Sequence, residues 1–310
     1  MLRFACDWRP VAWEVFYFFV TWYLFTSYWS LTWPAFIVLW CTSAAWSFFG
    51  ATITHNAIHV PLFKNPAANT VFQIALTLTY GWPVSALVPG HNLSHHKFTN
   101  GPKDAMRPQR MQFRWNFLNY ALFPLVTAAA ISKYDLEYMM AMRRLNRPIW
   151  HQYKLEASIF WLSMLVIGVY DLRRAAVCVY LPQAYAKWQL IAMNILQHDG
   201  CPTPQEDPLN HSRNFVGWLL NFLTFNNGFH GIHHETPGTH WSKLAELHEK
   251  RFVHKGMHPA LNQKNIFGYI WRTTIWPCQR ERWDGKPHVA PPCEPDEPWF
   301  DGQTIETYSG

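Results

Sequence analysis

Nine histidines of this 310-residue chain fall into four tight groups. They are His55 and His59; His91, His95 and His96; His198, four residues after Asn194; and His230, His233 and His234. Imidazole is the commonest protein metal ligand. Residues three or four apart share one face of a helix. His55 with His59, His91 with His95, and His230 with His234 are therefore expected to point the same way, with His233 alongside. Adjacent histidines diverge by about 100° on an α-helix. One member of the His95–His96 pair, and one of the His233–His234 pair, can then serve one metal while its neighbour serves a second. Asn194 and His198 repeat the i, i+4 relation, so the candidate set is nine imidazoles and one amide.

Imidazole suits zinc, copper, iron and nickel alike. A structural zinc needs only four ligands and usually recruits cysteine, so nine histidines exceed any single site. Two metals with four or five nitrogens each would keep open positions for water or dioxygen. Two irons fit that arrangement best. Bundle-type di-iron proteins use glutamates and Glu-x-x-His sets, which this chain lacks. A lone His-x-x-x-His pair is weak evidence, and His254 with His258, which follows no apolar span and encloses a glycine, is set aside. His151, His211, His240, His248 and His288 are read as surface residues or as supports behind the ligands. The rival from another class is a zinc-dependent membrane hydrolase, for which Glu235 or Asp199 would be the base. A metal transporter would place its ligands near the bilayer midplane, whereas these groups lie outside the apolar runs.

Those runs are the elements that must position the ligands. The chain is 49% hydrophobic and 17% aromatic, with 18 Trp and 22 Phe, and Trp gathers where hydrocarbon meets headgroup. Mean hydropathy is slightly negative at −0.13, but such averages rate Trp, Tyr and His as polar. A crossing needs about 20 mostly apolar residues. The candidates are 11–29, 33–54, 155–170 and 175–197, forming two hairpins in an all-α integral membrane protein of about four spans. Residues 71–88 contain Gly81-Trp82-Pro83 and read as a re-entrant or interfacial segment, because proline interrupts helix hydrogen bonding. Residues 116–132 form an interfacial helix or a further crossing, and 133–154 a basic helix or loop. Asp171, Arg173 and Arg174 in the second hairpin's turn, and Lys187 within a span, sit awkwardly with this scheme.

All the histidine groups must emerge on one side. The basic residues Lys97, Lys103, Arg107, Arg110, Arg114, Arg143, Arg144 and Arg147 lie there too, marking it as cytoplasmic. The N-terminus, with no small-residue cleavage site before its first apolar run, reads as a retained anchor on that side. Residues 1–283 are expected to form a single membrane domain, and 284–310 an extended tail rich in Pro and acidic residues. The six cysteines form no Cys-x-x-Cys pair and read as reduced thiols.

The three boxes resemble those of the membrane fatty acid desaturase superfamily, His-x(3–4)-His followed by two His-x(2–3)-His-His motifs. The likeness runs from about His55 to His248. The segment 226–244, which opens Asn-Asn-Gly-Phe-His-Gly-Ile-His-His, is similar to that family's third box. Two departures are Asn56, where many desaturases carry Asp, and the lack of a Gly beside His59. The resemblance implies a four-helix membrane stem and a cytosolic helical cap with a di-iron centre. It also implies that His198 is a ninth ligand, with Asn194 holding a metal through water. The expected cofactors are two iron ions, with O2 as co-substrate and no tightly bound organic cofactor. The expected reaction is O2-dependent oxidation of an unactivated C–H bond in a fatty acyl or lipid chain. Desaturation is the leading outcome, with hydroxylase, ketolase or oxidative decarboxylase chemistry as the alternatives. Partners would be the lipid bilayer, a fatty acyl substrate that is free or linked to coenzyme A, carrier protein or lipid, and an external electron donor such as ferredoxin or cytochrome b5. No nucleic acid is expected.

Overall fold

The computed structural model describes residues 1–300. The described residues are mostly helical and pack as two compact units, Met1–Leu87 with Asn146–Leu190, and Val88–Leu145 with the residues from Ile191 onward.

The first unit begins with α1 (Trp8–Ser27) and α2 (Trp33–Ala57), joined by a short turn, with Pro34 in the first turn of α2. Ser43, Ser47, Gly50 and Thr54 place a stripe of small residues along α2, all buried. Small residues let helices approach closely where hydrocarbon offers no hydrophobic drive. A methyl group on Gly50 would come within 2.3 Å of the Thr79 side chain on α3 (Pro66–Tyr80). The polar groups of this contact are satisfied internally: Ser43 bonds Thr21 at 2.8 Å, and Ser47 donates to the Thr79 carbonyl at 2.7 Å. The Thr79 hydroxyl also donates to buried Glu14. Gly81, at φ 79°, ends α3 in the left-handed conformation that glycine adopts without strain. Helix α5 (Pro148–Tyr170) starts at a proline and buries only Glu156 and Phe160, leaving an apolar exterior.

Among the described residues two helices, α2 and α5, are long and apolar enough to cross a membrane, and the broken pair Pro66–Tyr80 and Val84–Phe98, taken as one span, makes a third. The expected four are thus not all of one kind. Helix α1 carries Arg9 and Glu14. The expected 175–197 span is a π turn at Ala176–Tyr180 followed by α6 (Leu181–His198). The charged turn is neutralised locally. Asp171 caps the backbone of Arg174 at 3.0 Å and pairs with its side chain at 2.9 Å, and Arg173 lies 5.0 Å from the Trp29 ring. Lys187 donates at 2.8 Å to the carbonyl of Gly81.

In the second unit, residues 116–132 and the start of the expected basic segment form one helix, α4 (Asn116–Arg144), with Pro124 inside it. The remainder of that segment opens α5 instead. Lys133, Asp135, Glu137, Arg143 and Arg144 make the distal part of α4 polar. The short helix α7 (His230–Glu235) packs on a core of Cys201, Ile232, Leu244, Phe252, Met257 and Leu261. A two-residue parallel ladder pairs β1 (Asn214–Phe215) with β2 (Asn262–Gln263). Residues 284–300 lack helix and strand, yet their last part is anchored: Trp299 and Phe300 are buried, with rings 6.3 and 5.5 Å from that of Tyr138. The rest of the expected tail, 301–310, lies outside the described residues.

Candidate metal centre

Four imidazoles converge in the second unit. His95, His198, His230 and His234 are held so that one nitrogen of each lies within 4.8 Å of the others. The Nε2 atoms of His198, His230 and His234 form a triangle with sides of 2.8, 3.0 and 3.2 Å. Nitrogens bound at right angles about a metal, each at about 2.1 Å, would stand roughly 3.0 Å apart. The spacing fits a cation. It does not fit a hydrogen-bonded trio, since three mutually facing nitrogens cannot all donate and accept.

The supports behind the rings set which nitrogen faces inward. His95 directs Nδ1 to the Asp104 carboxylate at 3.0 Å, both groups fully buried, and its buried Nε2 has no hydrogen-bond partner. Such a carboxylate fixes ring orientation and raises ligand basicity. The other Asp104 bonds come from the backbone N–H of Asn100 at 2.9 Å and of Met106 at 2.7 Å. His234 directs Nδ1 to the Thr99 hydroxyl at 3.1 Å, which itself donates to the His95 carbonyl. His198 directs Nδ1 to the carbonyl of His211 at 3.3 Å. Each backbone or side-chain acceptor holds its ring with the outer nitrogen protonated and the inner lone pair free. Burial pushes His198 and His234 well below the ordinary imidazole pKa, and holds His211 at about 4. His198 and His234 are therefore neutral, the form that binds metal.

Local folding explains why these rings meet. His198 ends α6, where the buried Arg213 guanidinium donates to the carbonyls of Leu196 and Asp199, both at 3.1 Å. A cation at a helix C-terminus is favoured by the helix dipole. Asn214 accepts from the backbone N–H of Gly231 at 2.9 Å and so holds α7. His91 and His95 ride on a π turn, Pro89–His95. In π winding the hydrogen bonds run from i to i+5. Accordingly His91 meets His96, Nε2 to Nε2 at 3.0 Å, rather than His95 as α-helical spacing suggests. His233 joins that second gathering, its ring 4.7 Å from His96 and stacked 6.3 Å from His91. Both adjacent pairs are thus split, with His95 and His234 on one side and His96 and His233 on the other.

In the first unit, His55 and His59 lie at the end of α2 with rings 5.6 Å apart. His59 is pushed well below the ordinary value by burial and by His55. Asn194 is buried in the second unit, and its amide donates to the Met106 carbonyl at 2.6 Å. His254 instead pairs with Glu249 at 3.4 Å, and His258 accepts from Ala260 as a helix cap. Asp104, Thr99 and Arg213 escape a reading of spacings, because their partners are set by loops. An acid in the short loop after the second box was the available signal for Asp104.

The description Fatty acid desaturase belongs to the family whose sequence model matches residues 31–260. One curated relative, a sphingolipid delta(4)-desaturase of Komagataella phaffii, is 26% identical over 215 residues, covering 62% of this chain and 55% of the relative. A sphingolipid delta(4)-desaturase of Candida albicans is 23% identical over 259 residues, covering 75% of this chain and 66% of that protein. The chain spans a little over half to two thirds of the length of these relatives. With the family match covering well over half of its residues and containing every histidine of the two gatherings, the chain belongs to the fatty acid desaturase family.

Proposed function

We propose that this chain is a membrane oxidoreductase that oxidises an unactivated C–H bond of a lipid chain at a di-iron centre, with desaturation as the outcome. The observation that carries the reading is the buried quartet His95, His198, His230 and His234, with three Nε2 atoms 2.8–3.2 Å apart and Asp104 behind His95. The ligand set is nine imidazoles: that quartet together with His55, His59, His91, His96 and His233. Asn194 acts through water. Bound iron would supply the redox chemistry that activates dioxygen. The all-nitrogen donor set suits iron, and burial keeps His59, His198 and His234 neutral and ready to bind.

The protein's own contribution is positional. Asp104, Thr99 and the His211 carbonyl fix the protonated nitrogen of three ligands, so the inner lone pairs need no rearrangement on metal binding. Making one double bond with one dioxygen, and releasing two waters, consumes two electrons and two protons beyond those taken from the chain. An external donor is therefore part of the proposal. The basic residues of the same face and the net charge of +6 suit an acidic ferredoxin or cytochrome b5. We assign the site and both termini to the cytoplasmic side. The names of the two relatives make a sphingolipid the first substrate to test, ahead of other acyl lipids.

A hydroxylase, ketolase or decarboxylase would share these ligands, and product analysis separates them. The hydrolase reading loses its bases: Asp199 is bound by Arg280, and Glu235 faces Arg251 at 3.5 Å on the surface. The test is lipid profiling of a host expressing the chain, beside iron analysis of the purified protein. New unsaturated lipid and about two irons per chain are expected, with both lost in His95→Ala and His233→Ala. Full turnover in either variant, or one zinc in place of iron, would refute the proposal.

A further inference from the structure

Part of the second unit's surface has its polarity reversed. In the helix Ile266–Ile270 and the π turn Trp271–Ile275 that continues it, Phe267, Trp271 and Ile275 recur every four residues and are 77%, 60% and 45% exposed. The inward side carries Tyr269, Thr273 and Thr274, all buried. The helix Trp218–Leu223 repeats the pattern. Trp218, Leu219 and Phe222 are exposed, while Asn221 is buried and donates to the Phe215 carbonyl at 2.7 Å. At the entry to α4, Phe113, Trp115 and Phe117 are exposed around buried Asn116, whose amide donates to the Thr273 carbonyl at 2.8 Å. A helix that meets water turns its apolar stripe to the core. The helix Leu244–His248, with its π continuation Glu249–Val253, does so in this same unit: Leu244 and Phe252 are buried, and Glu246, Glu249 and Lys250 are exposed.

The three reversed segments adjoin. A methyl on Gly217, which precedes one helix, would lie 2.4 Å from the carbonyl of Lys264, which precedes the other. The bond from Asn116 to Thr273 ties in the third. Exposed apolar side chains gathered in this way mark contact with a protein or a membrane. Charge and residue type select the membrane. Trp115, Trp218, Trp271 and Trp276 are all exposed, and tryptophan gathers where hydrocarbon meets headgroup. The stretches 113–117, 217–223 and 264–276 contain Arg114, Lys264 and Arg272 but no Asp or Glu. Arg114 and Lys264 are exposed, as suits anionic headgroups. A bilayer is at hand, because the same chain carries α2 and α5. The two helices have six and five residues, the second prolonged by a five-residue π turn. A crossing takes about 20 residues, so these helices are too short to span and fit only the plane of the interface.

We propose that this face is a docking surface for an anionic bilayer, with its aromatic rings seated at the glycerol-ester level and Arg114 and Lys264 against lipid phosphates. The second unit thereby holds the membrane surface through its own side chains, apart from the spans of the first. Asn116, Asn221 and Thr273 make the reversal possible. They satisfy the carbonyls of Thr273, Phe215 and Tyr269 from the inside, so the apolar side chains are free to turn outward. The interaction rests on the packing of this unit and not on the metal ligands or the reaction assigned to them.

The test uses the full chain in nanodiscs of phosphatidylcholine, doped with phosphatidylglycerol or phosphatidylcholine that carries a diazirine beside the glycerol ester. Adducts are mapped by peptide mass spectrometry, and water-facing side chains are mapped in parallel by hydroxyl-radical oxidation. Neither readout needs iron or turnover. An interfacial face lies about 5–10 Å into the headgroup boundary, so in single-copy discs the peptides holding Trp218–Leu223 and Phe267–Trp276 should take up about ten-fold more lipid label than the peptide holding Leu244–Val253. Oxidation should run the other way. The phosphatidylglycerol probe should label the two aromatic peptides about five-fold more than the phosphatidylcholine probe. In Arg114→Gln with Lys264→Gln, both at exposed positions, that ratio should fall to about one with the circular dichroism unchanged. Lipid label no higher on the aromatic peptides than on Leu244–Val253 overturns the proposal. So does an undiminished phosphatidylglycerol preference in the double variant. Protection of Trp218 and Trp271 from oxidation only in discs that hold two copies overturns it in favour of a contact between chains.

Discussion

Asp104→Asn isolates what the carboxylate behind His95 contributes. Asp104 accepts three hydrogen bonds: His95 Nδ1 at 3.0 Å, Asn100 N at 2.9 Å and Met106 N at 2.7 Å. The first two go to one oxygen and the third to the other. An asparagine can keep its oxygen toward His95 and Asn100, but its amide nitrogen then faces the Met106 N–H, donor against donor. The negative charge on which His95 leans is also lost. Removing such an outer partner costs about 10–100-fold in metal affinity, or roughly 1.4–2.8 kcal/mol. Asp104→Ala goes further and leaves three buried donors unpaired, each costing about 1–3 kcal/mol. The assay is iron release to a chelator from the purified protein, followed alongside the melting temperature. Asp104→Asn should release iron at least ten-fold more readily with a modest loss of melting temperature, and Asp104→Ala should lose both iron and fold. Native iron retention in Asp104→Asn would show that orientation of His95 does not depend on this carboxylate.

Three further outcomes follow from the packing. Gly90→Ala would put a methyl 2.6 Å from Ile131 and 3.2 Å from the Asp135 carboxylate, so a loss of about 1–3 kcal/mol is expected, read as a lower melting temperature with reduced iron. Asp199→Ala strands the buried Arg280 guanidinium, which also donates to the Met111 carbonyl at 2.8 Å. It should cost about 3–5 kcal/mol, and Asp199→Leu with Arg280→Met should recover most of the lost stability. Burial pushes the Cys201 thiol up from 9.0 to about 11. The folded state thus favours the protonated thiol, and this contribution is complete below pH 9 and lost as pH rises through 11. It amounts to about 3 kcal/mol. Maleimide at pH 8 should label exposed Cys293 and spare Cys201 until the protein unfolds.

How much of this was legible in the sequence follows from the range of the interactions. The histidine groups are local patterns, and the proposed metal chemistry was read from their residue types alone. The split of adjacent histidines between two gatherings is also local, since it needs only the helical angle between neighbours. The partner of His91 was misplaced because the Pro89–His95 segment winds as a π turn, which its sequence does not advertise. The supports were invisible for a different reason. Thr99, Asp104 and Arg213 act across loops of irregular backbone, where no periodicity links a residue to its partner. Helix limits erred where composition changes inside one element: α4 begins among apolar residues and ends among charged ones, so it reads as two segments. Lys187 and Arg173 looked like violations because the Gly81 carbonyl and the Trp29 ring that they meet lie in distant stretches of the chain.

The quartet draws its members from widely separated stretches of chain. His95 precedes His234 by 139 residues. At roughly 5–20 residues per second of synthesis, about 7–30 s separate the emergence of the first ligand from that of the last. Throughout that interval the nascent protein displays unfilled imidazoles, for which copper outcompetes iron at equilibrium. On the proposed reading, correct metal loading cannot rest on affinity alone. It depends on when the last ligands arrive and on which ions are at hand when they do, so expression hosts that differ in copper supply should yield this protein with different metal contents.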